Sequence, residues 1–282
     1  MNNENLKNYL IFSMSRYYEW SNGVENRNYH LVKNLLKRTD TGKVLMVEYL
    51  PLNFRQSIKN LVYGIKNEKN GKLLKRNSLL QLLKIEENFY VLTVYKLPTK
   101  ILWDELNELI KKYFNDNYYL WSFLPTYTDY YQTLTQPKAK IFDAVDDWSK
   151  HASYKNYSER LESNYQHINN NVDYIFVVSP HLEKKFSRNE KVYFIPNGVD
   201  FNHFQQREKI INRDIANLEH PIIGYIGTIQ DRFNLDIIKA ITNKMPKASI
   251  ALIGPIWYKK LRAELLKIKN VFLLGQKPYN QA

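Results

Sequence analysis

The sequence predicts an α/β protein of two doubly wound domains, the second of them incomplete. Three observations lead there. Short apolar runs of strand length alternate with longer amphipathic stretches from residue 9 to residue 274, the pattern of parallel strands covered on both faces. Many of these runs are followed closely by Pro or Gly, which stop a strand or turn the chain. Within residues 192–204, VYFIPNGVDFNHF, the pattern lapses, and it starts again only at Pro221. VYFI reads as a short buried strand, Pro196 ends it, and Asn197-Gly198 is a strong turn signal. The expected boundary falls there, with one domain over 1–198 and another over 199–282. A length of 282 residues suits one large domain or two ordinary ones.

Taken in order, residues 9–14 (YLIFSM) read as the first strand. A polar loop covers 15–22, and Gly23 opens a helix with Val24, Leu31, Leu35 and Leu36 on its apolar side. Residues 43–50 (KVLMVEYL) form a second strand, stopped at Pro51. Residues 52–84, including LLKRNSLLQLLK, read as one or two amphipathic helices. Lys72, Lys75, Arg76 and Lys84 around the leucines would suit either packing on the sheet or an anionic membrane surface. Strands follow at 89–94, 118–123, 139–145 and 173–178, with helices at 101–114, 157–170 and 181–186. The last of these helices has Ser179 as N-cap and Pro180 at its first position. Beyond the hinge, strands at 222–226, 248–253 and 271–274 alternate with helices at 234–245 and 257–268. That is a single βαβαβ half, where a doubly wound sheet uses two.

Composition narrows the chemistry. There is no cysteine, which removes disulfides, thiolate metal sites and cysteine nucleophiles and fits a reducing compartment. The balance of 41 Lys+Arg against 28 Asp+Glu gives a net charge of +13, suited to anionic partners or to a merely solvated basic surface. The basic residues are spread along the chain without a nucleic-acid motif, so no nucleic-acid partner is expected. The six His are scattered, and no metal-ligand spacing occurs. The N-terminus is too polar for a secretory signal. No stretch approaches the ~20 apolar residues of a spanning helix, and a soluble or peripheral protein is expected.

Ligands of open α/β sheets bind beyond the carboxyl ends of the strands, which selects the loops after each strand. The first contains SNGVENR, where Asn22, Gly23 and Arg27 are candidate substrate contacts. Gly23 could let backbone amides approach an anion or a sugar, or it could serve the turn alone. GxGxxG and the P-loop pattern are both absent. Asp146 and Asp147 follow a strand directly and are the candidate catalytic carboxylates. Adjacent residues on an extended segment point opposite ways, so one would face the cleft as proton acceptor and the other would cap the next turn. Asn197 and Gly198 are candidate cleft contacts at the hinge. In the second half, GTIQDRF supplies Gly227, Thr228 and Arg232 as a candidate pyrophosphate site, with Gly254 at the next strand end.

These motifs together resemble a GT-B glycosyltransferase of the family 4, or group 1, type. The resemblance is carried by IPNGVDFNHF, PIIGYIGTIQDRF, IALIGP and NVFLLGQKPY. FDAVDDW, NRNYHLVKNLL and the LIGP strand look closest to the teichuronic-acid-biosynthesis branch. The resemblance implies two Rossmann-like domains, an acceptor on the first and a nucleotide sugar on the second. It implies metal-independent hexosyl transfer in the cleft between them, with no cofactor beyond the nucleotide-sugar substrate. The acceptor would be a cell-wall or surface-glycan precursor, lipid-linked acceptors included. That places the protein in the cytoplasm, peripheral on the inner membrane face. The sequence departs from the family at its usual G-R-L…K-G pattern and at an E-x7-E motif that would follow residue 282. The expectation is therefore a C-terminally truncated, inactive fragment. The alternatives are a non-catalytic acceptor- or membrane-binding remnant, or a sugar epimerase of the same fold.

Overall fold

The computed structural model describes residues 6–114, 116–186, 190–205, 213–230 and 232–277. The chain divides into two units, Met1–Gly198 and Val199–Ala282.

The first unit begins with β1 (Lys7–Phe12), α1 (Tyr17–Trp20), α2 (Arg27–Leu36), β2 (Thr41–Val47) and α3 (Phe54–Asn67). It continues with β3 (Lys72–Arg76), β4 (Leu80–Glu86), β5 (Phe89–Val94), α4 (Lys100–Phe114), β6 (Tyr119–Ser122) and α5 (Tyr130–Thr133). It closes with β7 (Ala139–Ala144), α6 (Ser158–Asn171), β8 (Tyr174–Val177), α7 (Pro180–Lys185) and β9 (Val192–Phe194). The sheet order is β3-β4-β5-β2-β1-β6-β7-β8-β9. All neighbours are parallel except the pairs made by β4. Leu10 registers with Leu45 on one side and Leu120 on the other, and all three are buried. Both faces are covered, one by Leu10, Phe12, Leu45, Val47, Leu82 and Leu92, the other by Ile11, Val44, Met46 and Val91. This two-sided burial is why the strands read as unbroken apolar runs. The chain winds from β1 through β2 to β5, then returns to β6 on the other side of β1. The switch point, where such sheets bind ligands, lies beyond the ends of β1 and β6.

Three expectations are corrected. VYFI is a strand but not a buried one: β9 is the edge of the sheet, and Tyr193, Phe194 and Ile195 are exposed. Residues 52–84 are not helical throughout: α3 ends at Asn67, and LLKRNSLLQLLK forms the antiparallel β3–β4 hairpin. Paired leucines fit a helix stripe and a doubly buried strand equally, and the local turn decides between them. Asn77 accepts from the backbone N–H groups of Leu79 and Leu80, an Asx turn that reverses the chain. The first helix does not open at Gly23. Asn26 caps α2 by accepting from the Tyr29 N–H, and the stretch read as loop contains α1.

The second unit holds α8 (Phe201–Gln205), α9 (Arg213–Ala216), β10 (Ile222–Ile226), α10 (Leu235–Lys244), β11 (Ser249–Ile253), α11 (Lys259–Leu265) and β12 (Val271–Gly275). The three strands are parallel in the order β10-β11-β12. Ile229, Ile238, Ile250, Leu252, Leu265 and Val271 form its core.

Candidate functional site

In the first unit the structure joins two of the nominated residues, Arg27 and Asn197. Being the first residue of α2, Arg27 reaches back over the sheet. Its Nε donates to Asp143 Oδ1 on β7 at 2.9 Å. Its Nη1 donates to the Pro196 carbonyl at 3.2 Å and to Asn197 Oδ1 at 3.4 Å. Trp121 Nε1 donates to the other oxygen of Asp143 at 3.3 Å. Asp143 is 2% exposed at its side chain. Burial pushes its carboxyl up to about 6, while Arg27 and Trp121 pull the other way. Asp143 was not a sequence candidate; the signal was a carboxylate inside the otherwise apolar run KIFDAV. Gly198 follows Asn197 with nothing within 4 Å of a Cβ placed there. Asn22 and Gly23 lie in the connection that leads to Arg27. Gly23 has φ +86°, the left-handed region glycine permits, and Asn22 Nδ2 donates to the Tyr18 carbonyl at 2.6 Å.

The two adjacent carboxylates part company. Asp146 is exposed, and its Oδ1 accepts from the Asp147 N–H at 2.9 Å. Asp147 is buried and caps the 3-10 turn Trp148–Lys150 by accepting from the Ser149 N–H. Lys185 Nζ lies 3.1 Å from both Asp147 oxygens and 2.9 Å from Glu162 Oε1. Burial alone would raise the Asp147 carboxyl, but hydrogen bonds from Ser149 and Lys185 outweigh it and hold it below its usual value. A carboxylate so occupied is a poor proton acceptor, so of the pair only Asp146 faces solvent.

A further cluster lies after β1 and β2. Arg16 is buried; its Nε donates to Asn60 Oδ1 at 2.7 Å, and its guanidinium sits 5.0 Å from the Tyr49 ring centre. Tyr49 stacks at 16° to Trp148, and its hydroxyl is 3.2 Å from that of Tyr154. Beside them Glu48 is fully buried, accepting from the Tyr17 N–H at 2.6 Å, Thr93 Oγ1 at 2.6 Å and Asn67 Nδ2 at 3.3 Å. Burial pushes Glu48 up to about 7 against the pull of Thr93 and Tyr17.

In the second unit three strand ends carry no side chain. Gly227, Gly254 and Gly275 terminate β10, β11 and β12 with φ of +154°, +141° and +73°. The Gly227 N–H donates to the Ile253 carbonyl, and the Gly254 N–H to that of Gly275. A Cβ on Gly254 would stand 1.9 Å from the Gly227 carbonyl oxygen, closer than any real contact. Next to this crossing Tyr225, Thr228, Gln230, Arg232 and Phe233 line an open hollow of about 330 Å³. All four nominated residues of this unit therefore fall at one end of the sheet. Asn234 Oδ1 already accepts from the first amides of α10, those of Asp236 and Ile237. The Gly227 and Gly254 amides are engaged as well, so the group here suited to an anion is the Arg232 cation. Asp231 of GTIQDRF and Pro278-Tyr279 of the closing motif lie outside the described residues.

Among the described residues no group of three His, Asp or Glu could hold a metal ion. No helix among them is long and apolar enough to cross a membrane.

Comparison with known proteins places this architecture. No family model matches the chain, and no curated protein matches it. Solved structures do. Sucrose-phosphate synthase from Thermosynechococcus elongatus superposes with a TM-score of 0.63 at 13% identity, over 97% of this chain and 71% of that one. A mutant form of Staphylococcus aureus TarM, in complex with fondaparinux, α-GlcNAc-glycerol and UDP, gives 0.58 at 10% identity, over 97% and 78%. Anabaena HepE with UDP and glucose gives 0.56 at 13% identity, over 95% and 69%. Identities this low establish the fold alone: an α/β protein of the Rossmann-like kind found in GT-B glycosyltransferases.

Proposed function

We propose that the protein is a glycosyltransferase that uses a nucleotide sugar, with a nucleoside diphosphate seated on the second unit. The observation that carries this is the row of bare strand ends at Gly227, Gly254 and Gly275. Main chain without side chains keeps this end of the sheet low, with open space at Gly275 for a diphosphate to approach, and Arg232 in the adjoining hollow supplies a cation that matches it. Thr228 and Gln230 line the same hollow as neutral hydrogen-bonding groups. UDP in the HepE and TarM structures favours a uridine donor, and a hexosyl group is the proposed cargo.

The proposed acceptor is a cell-wall or surface-glycan precursor, lipid-linked forms included, as in the teichuronic-acid branch that the sequence resembles. On the first unit it would meet the groups around Arg27 and Asn197. Asp146 is the proposed proton acceptor for its hydroxyl, and no cofactor beyond the donor is proposed.

Thermal unfolding with UDP, ADP and GDP tests the donor site, because a ligand stabilises what it binds. UDP is expected to raise the melting temperature, and Arg232→Ala to reduce that rise. No shift with any of the three diphosphates would overturn the assignment.

A further inference from the structure

Helix α3 is turned inside out. Its inward positions are Ser57, Asn60, Gly64 and Asn67, all buried. Its outward positions include Phe54, Ile58, Leu61, Val62 and Ile65, all exposed, with Phe54 at 76% and Ile65 at 53%. A surface helix ordinarily shows the reverse.

Hydrogen bonds hold the helix this way round. Asn60 Nδ2 donates to the carbonyls of Tyr49 at 2.9 Å and Val94 at 2.8 Å. Asn67 donates to Glu48, and the Gly64 carbonyl accepts from Gln81 Nε2 at 2.9 Å. A Cβ on Gly64 would touch Tyr95 at 3.1 Å, so the helix rests close on the sheet. Turning the apolar stripe inward would break these bonds and bury Lys59 or Lys66.

The exposed residues recur at 54, 58, 61/62 and 65, one stripe about 17 Å long at 1.5 Å per residue. Cations accompany it. Arg55, Lys59, Lys66, Lys69 and Lys72 are exposed, and in residues 52–85 the sole carboxylate is Glu68, which is paired with Arg76. Lys59 Nζ lies 5.3 Å from the Tyr63 ring centre and Lys66 Nζ 5.2 Å from that of Tyr18, and the two rings stack at 4.4 Å. An apolar stripe edged by lysines and tyrosines matches the depth profile of a bilayer surface, with acyl chains below and phosphates and water above. A nucleic acid would use the cations and leave the stripe in water.

We propose that α3 is an in-plane membrane anchor. Phe54, Ile58, Leu61, Val62 and Ile65 enter the acyl region of an anionic bilayer, and Arg55, Lys59 and Lys66 engage its phosphates. The anchor adds a location to the transferase assignment and does not depend on it for its test.

The purified full chain is mixed with phosphatidylcholine vesicles, with and without phosphatidylglycerol, and sedimented. Binding is expected on the anionic vesicles and to weaken with salt. The triple variant Phe54→Ser/Ile58→Gln/Ile65→Gln is expected to lose about tenfold or more in affinity with no fall in melting temperature, since all three side chains point outward. Absence of binding by the unaltered chain, or equal binding by the triple variant, overturns the proposal. A dimer of the unaltered chain that the variant turns into a monomer also overturns it, because a second copy would then cover the stripe. The melting shift with UDP is read on both proteins. A lost shift with intact vesicle binding removes the donor site alone, and the converse removes the anchor alone.

Discussion

Arg27 and Asp143 meet at 2.9 Å across 116 residues of sequence. The contact closes one side of the first unit. It joins the start of α2 to β7, and through Pro196 and Asn197 to the segment after β9.

Removing the cation leaves a buried carboxylate without its counter-charge. Arg27→Ala is therefore expected to cost about 3 kcal/mol at neutral pH. Arg27 helps to hold the Asp143 carboxyl down to about 6, so without it the carboxyl protonates at higher pH and the deficit shrinks as the pH falls towards 6. Urea unfolding of Arg27→Ala at neutral and mildly acid pH measures this, with Asp143→Asn as the second arm of a double-mutant cycle. Equal losses at both pH values would refute the coupling.

Glu48 gives the molecule a pH dependence of known sign. Its carboxyl is raised from 4.5 to about 7 in the folded chain, so over that interval the folded state holds a proton that the unfolded state has released. The stabilisation is complete below the unfolded value and fades as pH rises through the folded one. Asp143 acts in the same direction, from 3.8 to about 6. Glu48→Gln is expected to flatten the fall in stability between these limits and leave the share due to Asp143. The amide can still accept from Tyr17 and donate to Thr93. Glu48→Ala instead strands three buried donors and is expected to cost about 2–4 kcal/mol. Denaturation midpoints at a series of pH values report both effects.

Asp146 and Asp147 are expected to separate by readout. Asp147→Asn weakens the hold on Lys185 and is expected to lower stability by about 1–2 kcal/mol. Asp146→Asn is expected to leave the melting temperature unchanged and to slow sugar transfer. A transfer rate unaffected by Asp146→Asn removes it as the proton acceptor.

Gly254→Ala is expected to unfold the second unit or destabilise it by about 3 kcal/mol or more. The new methyl group would fall on the Gly227 carbonyl oxygen, in backbone already at φ +141°. Gly224→Ala is the control, because nothing lies within 4 Å of its added Cβ. Limited proteolysis of the two variants separates them.

Most strands of both units were legible because they are apolar runs punctuated by Pro or Gly, and β1, β2, β5, β7 and β11 are buried on both faces. The hairpin β3–β4 was not, since Leu79, Leu80, Leu82 and Leu83 satisfy a helical spacing as well as a doubly buried strand, and a single Asx turn at Asn77 decides. Arg27 stood out beside a turn glycine. Asp143 did not, because its partners Arg27 and Trp121 come from distant parts of the chain. Gly227 and Gly254 could be read one at a time as strand ends; their mutual contact belongs to the sheet. The orientation of α3 was hidden for another reason. Amphipathic periodicity gives a helix two unlike faces but no direction, and direction here is set by Asn60, Gly64 and Asn67.

The crossing of Gly227 and Gly254 also divides the second unit into a part that cannot vary and a part that can. A side chain is excluded at Gly254 by collision and disfavoured at Gly227 by its φ of +154°, so those two positions present main chain alone. In the proposed donor site, selectivity for one nucleotide over another would then reside in the loop just beyond, in Thr228, Gln230 and Arg232. Substitutions there can retune preference while the strand ends stay as they are.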